Sequence, residues 1–284
     1  MPFDTLISTD DLAAHLGDPD WAIIDCRCQL KDPGYGRREY EVAHIPGAVF
    51  ADLNDDLSGP LLPGKTGRHP LPTVEFAAGL FSTWGINGKI QVVAYDDQGG
   101  ALAAARLWWM LHWLSHDQVA VLDGGWQKWQ SEDRPVKSGV ETRPARIFVA
   151  RARPQLAITA RDVLREFGDP NFRLFDVRTP ERFRGEIEPI DPVAGHIPGA
   201  VSIPYAENLT PAGTFKPAAE LRRLYQPFLN GLPASQTAFY CGSGGTAPHS
   251  ILAMLHAGLG EARLYAGSWS EWITDPDHPI ARGD

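Results

Sequence analysis

Apolar residues along this chain fall into short runs set between polar turns. Residues 21–25, 91–95 and 119–122 form such runs, as do 173–176, 237–240 and 262–265, and each closes against polar or glycine residues. Short apolar runs of this kind predict strands buried on both faces of a parallel sheet. Longer apolar stretches at 101–114 and 248–259 predict helices. Strands alternating with helices imply right-handed crossovers, so the expected class is α/β, with a mainly parallel sheet carrying helices on both faces. The 101–114 stretch is interrupted by Arg106 and His112 and is too short to cross a bilayer.

The same pattern is written twice. Ala43-His44-Ile45-Pro46-Gly47-Ala48-Val49 returns as Gly195-His196-Ile197-Pro198-Gly199-Ala200-Val201. Ile24-Asp25-Cys26-Arg27 is answered by Phe175-Asp176-Val177-Arg178, and the run ending at Asp96 by the run ending at Cys241. Asp123-Gly124-Gly125-Trp126 with Trp129 parallels Ala266-Gly267-Ser268-Trp269 with Trp272. Motifs recurring in one order mark a tandem duplication. The expected domains are residues 1–138 and 157–284, joined by a polar linker over 139–156.

Composition narrows the function. Of 284 residues, 43% are hydrophobic and 21% charged, the balance of a chain with a true core. The formal net charge of -9 argues against nucleic acid and membrane as partners, and leaves room for a small anionic substrate only in a locally positive pocket. The first 26 residues hold no Lys or Arg, so a secretory leader is not expected. Cysteines at 26, 28 and 241 are too few for a disulfide framework, and a reducing cytoplasm is the expected setting. Cys26 and Cys28 lack the further ligands that a zinc site needs.

The chemistry points to Cys241. An apolar strand delivers this residue to Gly242-Ser243-Gly244-Gly245-Thr246-Ala247, and a helix is expected to start near Ala247 or Pro248. Glycines let the backbone turn several N–H groups inward as an anion nest, and the helix N-terminus adds partial positive charge. Both favour a thiolate and would equally hold a persulfide anion. A phosphatase-like loop would need an arginine at position 247 to grip a phosphoryl group, and alanine stands there. Attack on a softer sulfur centre is left.

With these motifs the chain resembles the tandem-domain rhodanese and 3-mercaptopyruvate sulfurtransferase family over nearly its full length. The resemblance implies two rhodanese-like domains, no metal or organic cofactor, and a two-step reaction. Cys241 takes sulfur from 3-mercaptopyruvate or thiosulfate as a persulfide and passes it to cyanide or to a small or protein thiol. Asp96 replaces the cysteine in the first half, which is therefore expected to be catalytically silent. Arg182 corresponds to the arginine that grips the donor anion, with Arg184 and Arg68 as possible helpers and His69 facing the cleft. Ile190 stands where many mercaptopyruvate enzymes carry a second clamping arginine, and Asn54 where some carry an aspartate beside the histidine. Asp25 with Arg27, Asp176 with Arg178, and His44 with His196 occur in both halves, which predicts structural roles. A sulfur relay and a non-catalytic protein-binding module are the alternatives to an enzyme.

Overall fold

The structure, a computed structural model, describes residues 2–284. It divides into two compact units: residues 2–59, 72–153 and 211–215 form the first, and 60–71, 154–210 and 216–284 the second.

The first unit holds a five-stranded sheet of β1 (Leu6–Ile7), β2 (Trp21–Asp25), β3 (Ala48–Phe50), β4 (Gln91–Tyr95) and β5 (Val119–Leu122). Its order is β1-β5-β4-β2-β3, with every pairing parallel. Side chains alternate between the faces of a strand. One set, including Ile23, Val93, Tyr95, Ala120 and Leu122, packs with Leu12 of α1 (Thr9–Ala13) and with Trp126 and Trp129 of α5 (Gly125–Ser131). The helices α2 (Tyr35–Val42), α3 (Val74–Thr83) and α4 (Ala103–Trp113) complete the unit; α4 is buried along its whole length and packs on β4 and β5. Residues 139–153 form neither helix nor strand, yet they are bonded to this unit. Gly139 N donates to Glu41 O (2.8 Å), Arg146 N to Ser82 O (2.9 Å) and Arg153 N to Trp113 O (2.8 Å).

The second unit repeats the design. Strands β6 (Ala157–Ile158), β7 (Arg173–Asp176), β8 (Val201–Ser202), β9 (Thr237–Tyr240) and β10 (Arg263–Tyr265) run parallel in the order β6-β10-β9-β7-β8. Its helices are α6 (Ala160–Arg165), α7 (Pro180–Arg184), α8 (Ala218–Leu229), α9 (Ala247–His256) and α10 (Ser268–Trp272). The expected α/β class and the two parallel sheets are what the structure shows. Among the described residues, no helix is long and apolar enough to cross a membrane.

The repeated motifs converge on one buried knot per unit. Asp25 accepts from the Arg27 guanidinium (Nη2 to Oδ2, 2.7 Å) and from Tyr95 (2.6 Å), while Arg27 also donates to Ala43 O (2.6 Å) and lies over Trp126. Asp176 accepts from Arg178 (2.6 Å), which donates to Gly195 O (2.7 Å) and lies over Trp269. The following Ile45 and Ile197 amides donate to the tyrosine hydroxyls of Tyr95 and Tyr240 (3.2 and 3.1 Å). His44 and His196 bond backbone carbonyls through Nδ1 and stack on Tyr40 and Phe183. A buried ion pair is sustained only when its remaining hydrogen-bonding capacity is also satisfied. The surrounding carbonyl and tyrosine do this, and the tryptophan face covers the guanidinium, which explains why the motifs recur together.

Candidate active site

In the order β6-β10-β9-β7-β8, the connections leaving β7 and β9 diverge to opposite sides, and open α/β sheets bind ligands at such a crevice. Cys241 follows β9, the central strand; Arg178 and Arg182 follow β7. Cys241 is 3% exposed, and the Gly244 amide donates to its Sγ at 3.2 Å. Gly244 has φ +80, and a Cβ there would meet Ala266 O at 2.2 Å, so only glycine allows this turn of the loop. Helix α9 then begins at Ala247, with Pro248 in its first turn.

A second loop supports the cysteine from below. Cys241 N donates to Ser268 Oγ (3.1 Å), and the amides of Trp269 and Ser270 donate to the carbonyls of Cys241 (3.0 Å) and Gly242 (2.9 Å). Ser268 holds φ 56, a left-handed conformation rare for a residue with a side chain. Its hydroxyl satisfies the buried Cys241 amide, a contact that glycine could not make.

Two guanidiniums lie over the loop. A Cβ on Gly242 would fall 3.0 Å from Arg68 Nη2 and 3.3 Å from Arg182 Nη2. Arg182 is held by Glu188 through Nε (3.1 Å) and Nη2 (2.7 Å), and Glu188 also accepts from Arg178. Asp191 bridges the pair, one carboxylate oxygen on Arg68 and the other on Arg182. Burial pulls the Arg68 guanidinium below the usual arginine value; the Cys241 charge opposes that shift, and the neighbouring Arg182 adds to it. His69, 4% exposed, places Nδ1 2.7 Å from Ser243 Oγ.

The structure thus brings Arg68, His69 and Arg182 to the loop of Cys241, Gly242, Ser243 and Gly244. Gly245, Thr246 and Ala247 carry that loop into α9, where Thr246 makes no side-chain cap. Arg184 turns away: its guanidinium pairs with Glu186 (2.7 and 2.9 Å) on the exposed side of α7. Sequence reasoning did not single out Ser268, Glu188 or Asp191. Ser268 was open to discovery, since glycine stands at the matching Gly125 of the half whose loop carries Asp96 in place of the cysteine. The two acids lie in a polar segment whose fold back onto the arginines has no local signal.

In the first unit the matching loop is closed on itself. Asp96, fully buried at the end of β4, accepts from the amides of Gln98 (2.8 Å), Gly100 (2.8 Å), Leu102 (3.3 Å) and Ala104 (3.3 Å). Burial pushes its carboxyl above the usual range, and the four N–H donors pull it back. Cys26 and Cys28 are free thiols in this unit, both pushed well up by burial and then by nearby aspartates.

Sheet order, a cysteine at the end of the central strand and an amide-lined strand-to-helix loop define a class of α/β proteins that present a loop thiol. A family profile described as a Rhodanese-like domain matches residues 8–132 and again 159–275, and the chain belongs to the rhodanese family. It is 47% identical over 280 residues to a "Probable 3-mercaptopyruvate sulfurtransferase" of Pseudomonas aeruginosa, covering 98% of each chain. It is 35% identical to a "Thiosulfate/3-mercaptopyruvate sulfurtransferase 1, mitochondrial" of Arabidopsis thaliana, covering 98% of this chain and 78% of that one. Its structure resembles a 3-mercaptopyruvate sulfurtransferase from Leishmania major (TM-score 0.84, 31% identity, 95% of this chain and 74% of that one). The protein is a sulfurtransferase.

Proposed function

We propose that the protein moves a sulfur atom from a small anionic donor, 3-mercaptopyruvate foremost, to a thiophilic acceptor through a persulfide on Cys241. The observation that carries the donor choice is the His69–Ser243 hydrogen bond beside the loop. Thiosulfate needs no proton: the thiolate takes its outer sulfur and sulfite leaves with the bonding pair. With 3-mercaptopyruvate the thiolate attacks the thiol sulfur, the carbon–sulfur bond breaks, and an enolate of pyruvate leaves. The proton on the transferred sulfur must then reach the enolate carbon, which yields pyruvate and Cys241–S–S⁻. A serine and a histidine in contact can carry it, since imidazole accepts and releases protons near neutral pH.

The other roles follow from position. Arg182 and Arg68 hold the donor anion, and loop amides such as that of Gly244 hold the thiolate and then the persulfide. Arg184 is engaged by Glu186 instead. The acceptor, cyanide or a small or protein thiol, attacks the outer sulfur and restores the thiolate. The first domain is catalytically silent, because a carboxylate at Asp96 carries no sulfane sulfur. Three free cysteines suit a reducing cytoplasm.

The test is kcat/KM for sulfur transfer to cyanide from both donors. Cys241→Ser should abolish transfer from each. His69→Ala should cost on the order of 10²-fold with 3-mercaptopyruvate and far less with thiosulfate. Equal losses with both donors would overturn the proton-carrying role. Transfer that persists without Cys241 would overturn the function.

A further inference from the structure

We infer that Asp191 sets which donors the site accepts, by cancelling one of the two positive charges of the arginine pair and so disfavouring dianions. The inference rests on the proposed sulfur transfer at Cys241 and adds to it a residue that selects by charge.

The side chain of Asp191 is 3% exposed and spans the two guanidiniums that lie over Gly242. Each of its oxygens takes one of them: Oδ1 pairs with Arg68 and Oδ2 with Arg182 at 3.2 Å. A carboxylate seated across two arginines stands where a donor anion would be gripped, so the resting clamp already carries an anion of its own. Its place is fixed by the backbone as well, because Asp191 N and Ile190 N both donate to Glu188 Oε1 at 3.1 Å.

The charges around the loop balance. Arg68, Arg178 and Arg182 face Asp176, Glu188 and Asp191 through the ion pairs already described. Adding the Cys241 thiolate leaves the group with one net negative charge. Each negative charge beside the loop opposes anions in proportion to their own charge. Thiosulfate carries two negative charges. The thiol form of 3-mercaptopyruvate, the form a thiolate can attack, carries one. Asp191 therefore penalises the dianion twice as strongly in free energy, and its effect on the dianion's rate is the square of its effect on the monoanion's.

The experiment compares wild type with Asp191→Asn and Asp191→Ala, measuring kcat/KM for each donor at one pH and low ionic strength. The donors' own ionisation cancels between variants, and circular dichroism checks that each variant is folded. Removing the charge should raise kcat/KM by roughly 3-fold with 3-mercaptopyruvate and roughly 10-fold with thiosulfate, through KM more than kcat. Added salt should shrink the difference. Equal changes with both donors, or a fall with thiosulfate in both folded variants, would overturn the inference. Absence of Cys241-dependent transfer in the wild type would instead overturn the proposed function on which it rests.

Discussion

The strand end at Asp96 and the strand end at Cys241 are the same place in two copies of one fold, yet one is occupied and the other is poised. At Asp96, four backbone amides converge on a buried carboxylate. At Cys241 the Gly244 amide meets a thiol sulfur. The carboxylate oxygens of an aspartate lie two bonds from Cβ, and so does the outer sulfur of a cysteine persulfide. The first loop therefore shows, with a permanent anion, the kind of nest that the second needs for a transient one. The flanking residues differ accordingly. The Cys241 loop has arginines over Gly242 and a serine beneath the cysteine, where the first half has Gly125. A Cβ at Gly125 would meet Asp96 O at 2.4 Å, so the first half has no room for that serine.

The largest expected effect is the asymmetry of function. Cys241→Ser should lower sulfur transfer by on the order of 10³-fold or more, while Asp96→Asn should leave kcat/KM within about 2-fold below its unfolding temperature. A large loss from Asp96→Asn would break the comparison. The knots should differ. Asp25→Asn leaves the buried Arg27 without its carboxylate and should cost about 3–5 kcal/mol in urea unfolding. Arg178 keeps Glu188 when Asp176 is changed, so Asp176→Asn should cost less. Equal losses would show that Glu188 does not share the load.

Smaller effects sharpen the picture. Cys241→Asp should be inactive but more stable than Cys241→Ala by about 1–2 kcal/mol, because a carboxylate can take up the loop amides. Equal melting temperatures would deny that the second loop is an anion nest. Ser268→Gly relieves a left-handed backbone but leaves the Cys241 amide without its hydroxyl. It should cost roughly 5- to 10-fold in kcat with little change in KM. The least effect concerns acid. Burial pushes His116 of the first unit and His196 of the second below the ordinary histidine value. The unfolded chain thus binds these protons first, and stability should fall as pH drops through the ordinary histidine range toward the depressed values. Unfolding midpoints that stay flat from neutral to mildly acidic pH would contradict this.

Much of the architecture was legible because the strongest signals were both local and repeated. The runs at 21–25, 91–95, 119–122, 173–176 and 237–240 are the observed strands, and the sixth begins one residue later than expected, at Arg263. The helix at 101–114 is shorter at both ends, and the one expected to start near Ala247 or Pro248 starts at Ala247. The outer strands β1, β3, β6 and β8 span two or three residues each, too few for any period to show. Cys241 could be read from its loop, and the paired Asp and Arg from their recurrence. Asp191 could not: its role depends on Arg68, far away in sequence, and distant pairing leaves no mark in local pattern.

The central claim is that sulfur rests on the second loop and not elsewhere. The most direct measurement is mass spectrometry of the protein after brief exposure to 3-mercaptopyruvate without acceptor, followed by proteolysis under non-reducing conditions. The account predicts one added sulfur atom on the peptide bearing Cys241, removed by cyanide, with Cys26 and Cys28 unchanged. Added sulfur on Cys26 or Cys28, or none on Cys241 while pyruvate is released, would contradict it.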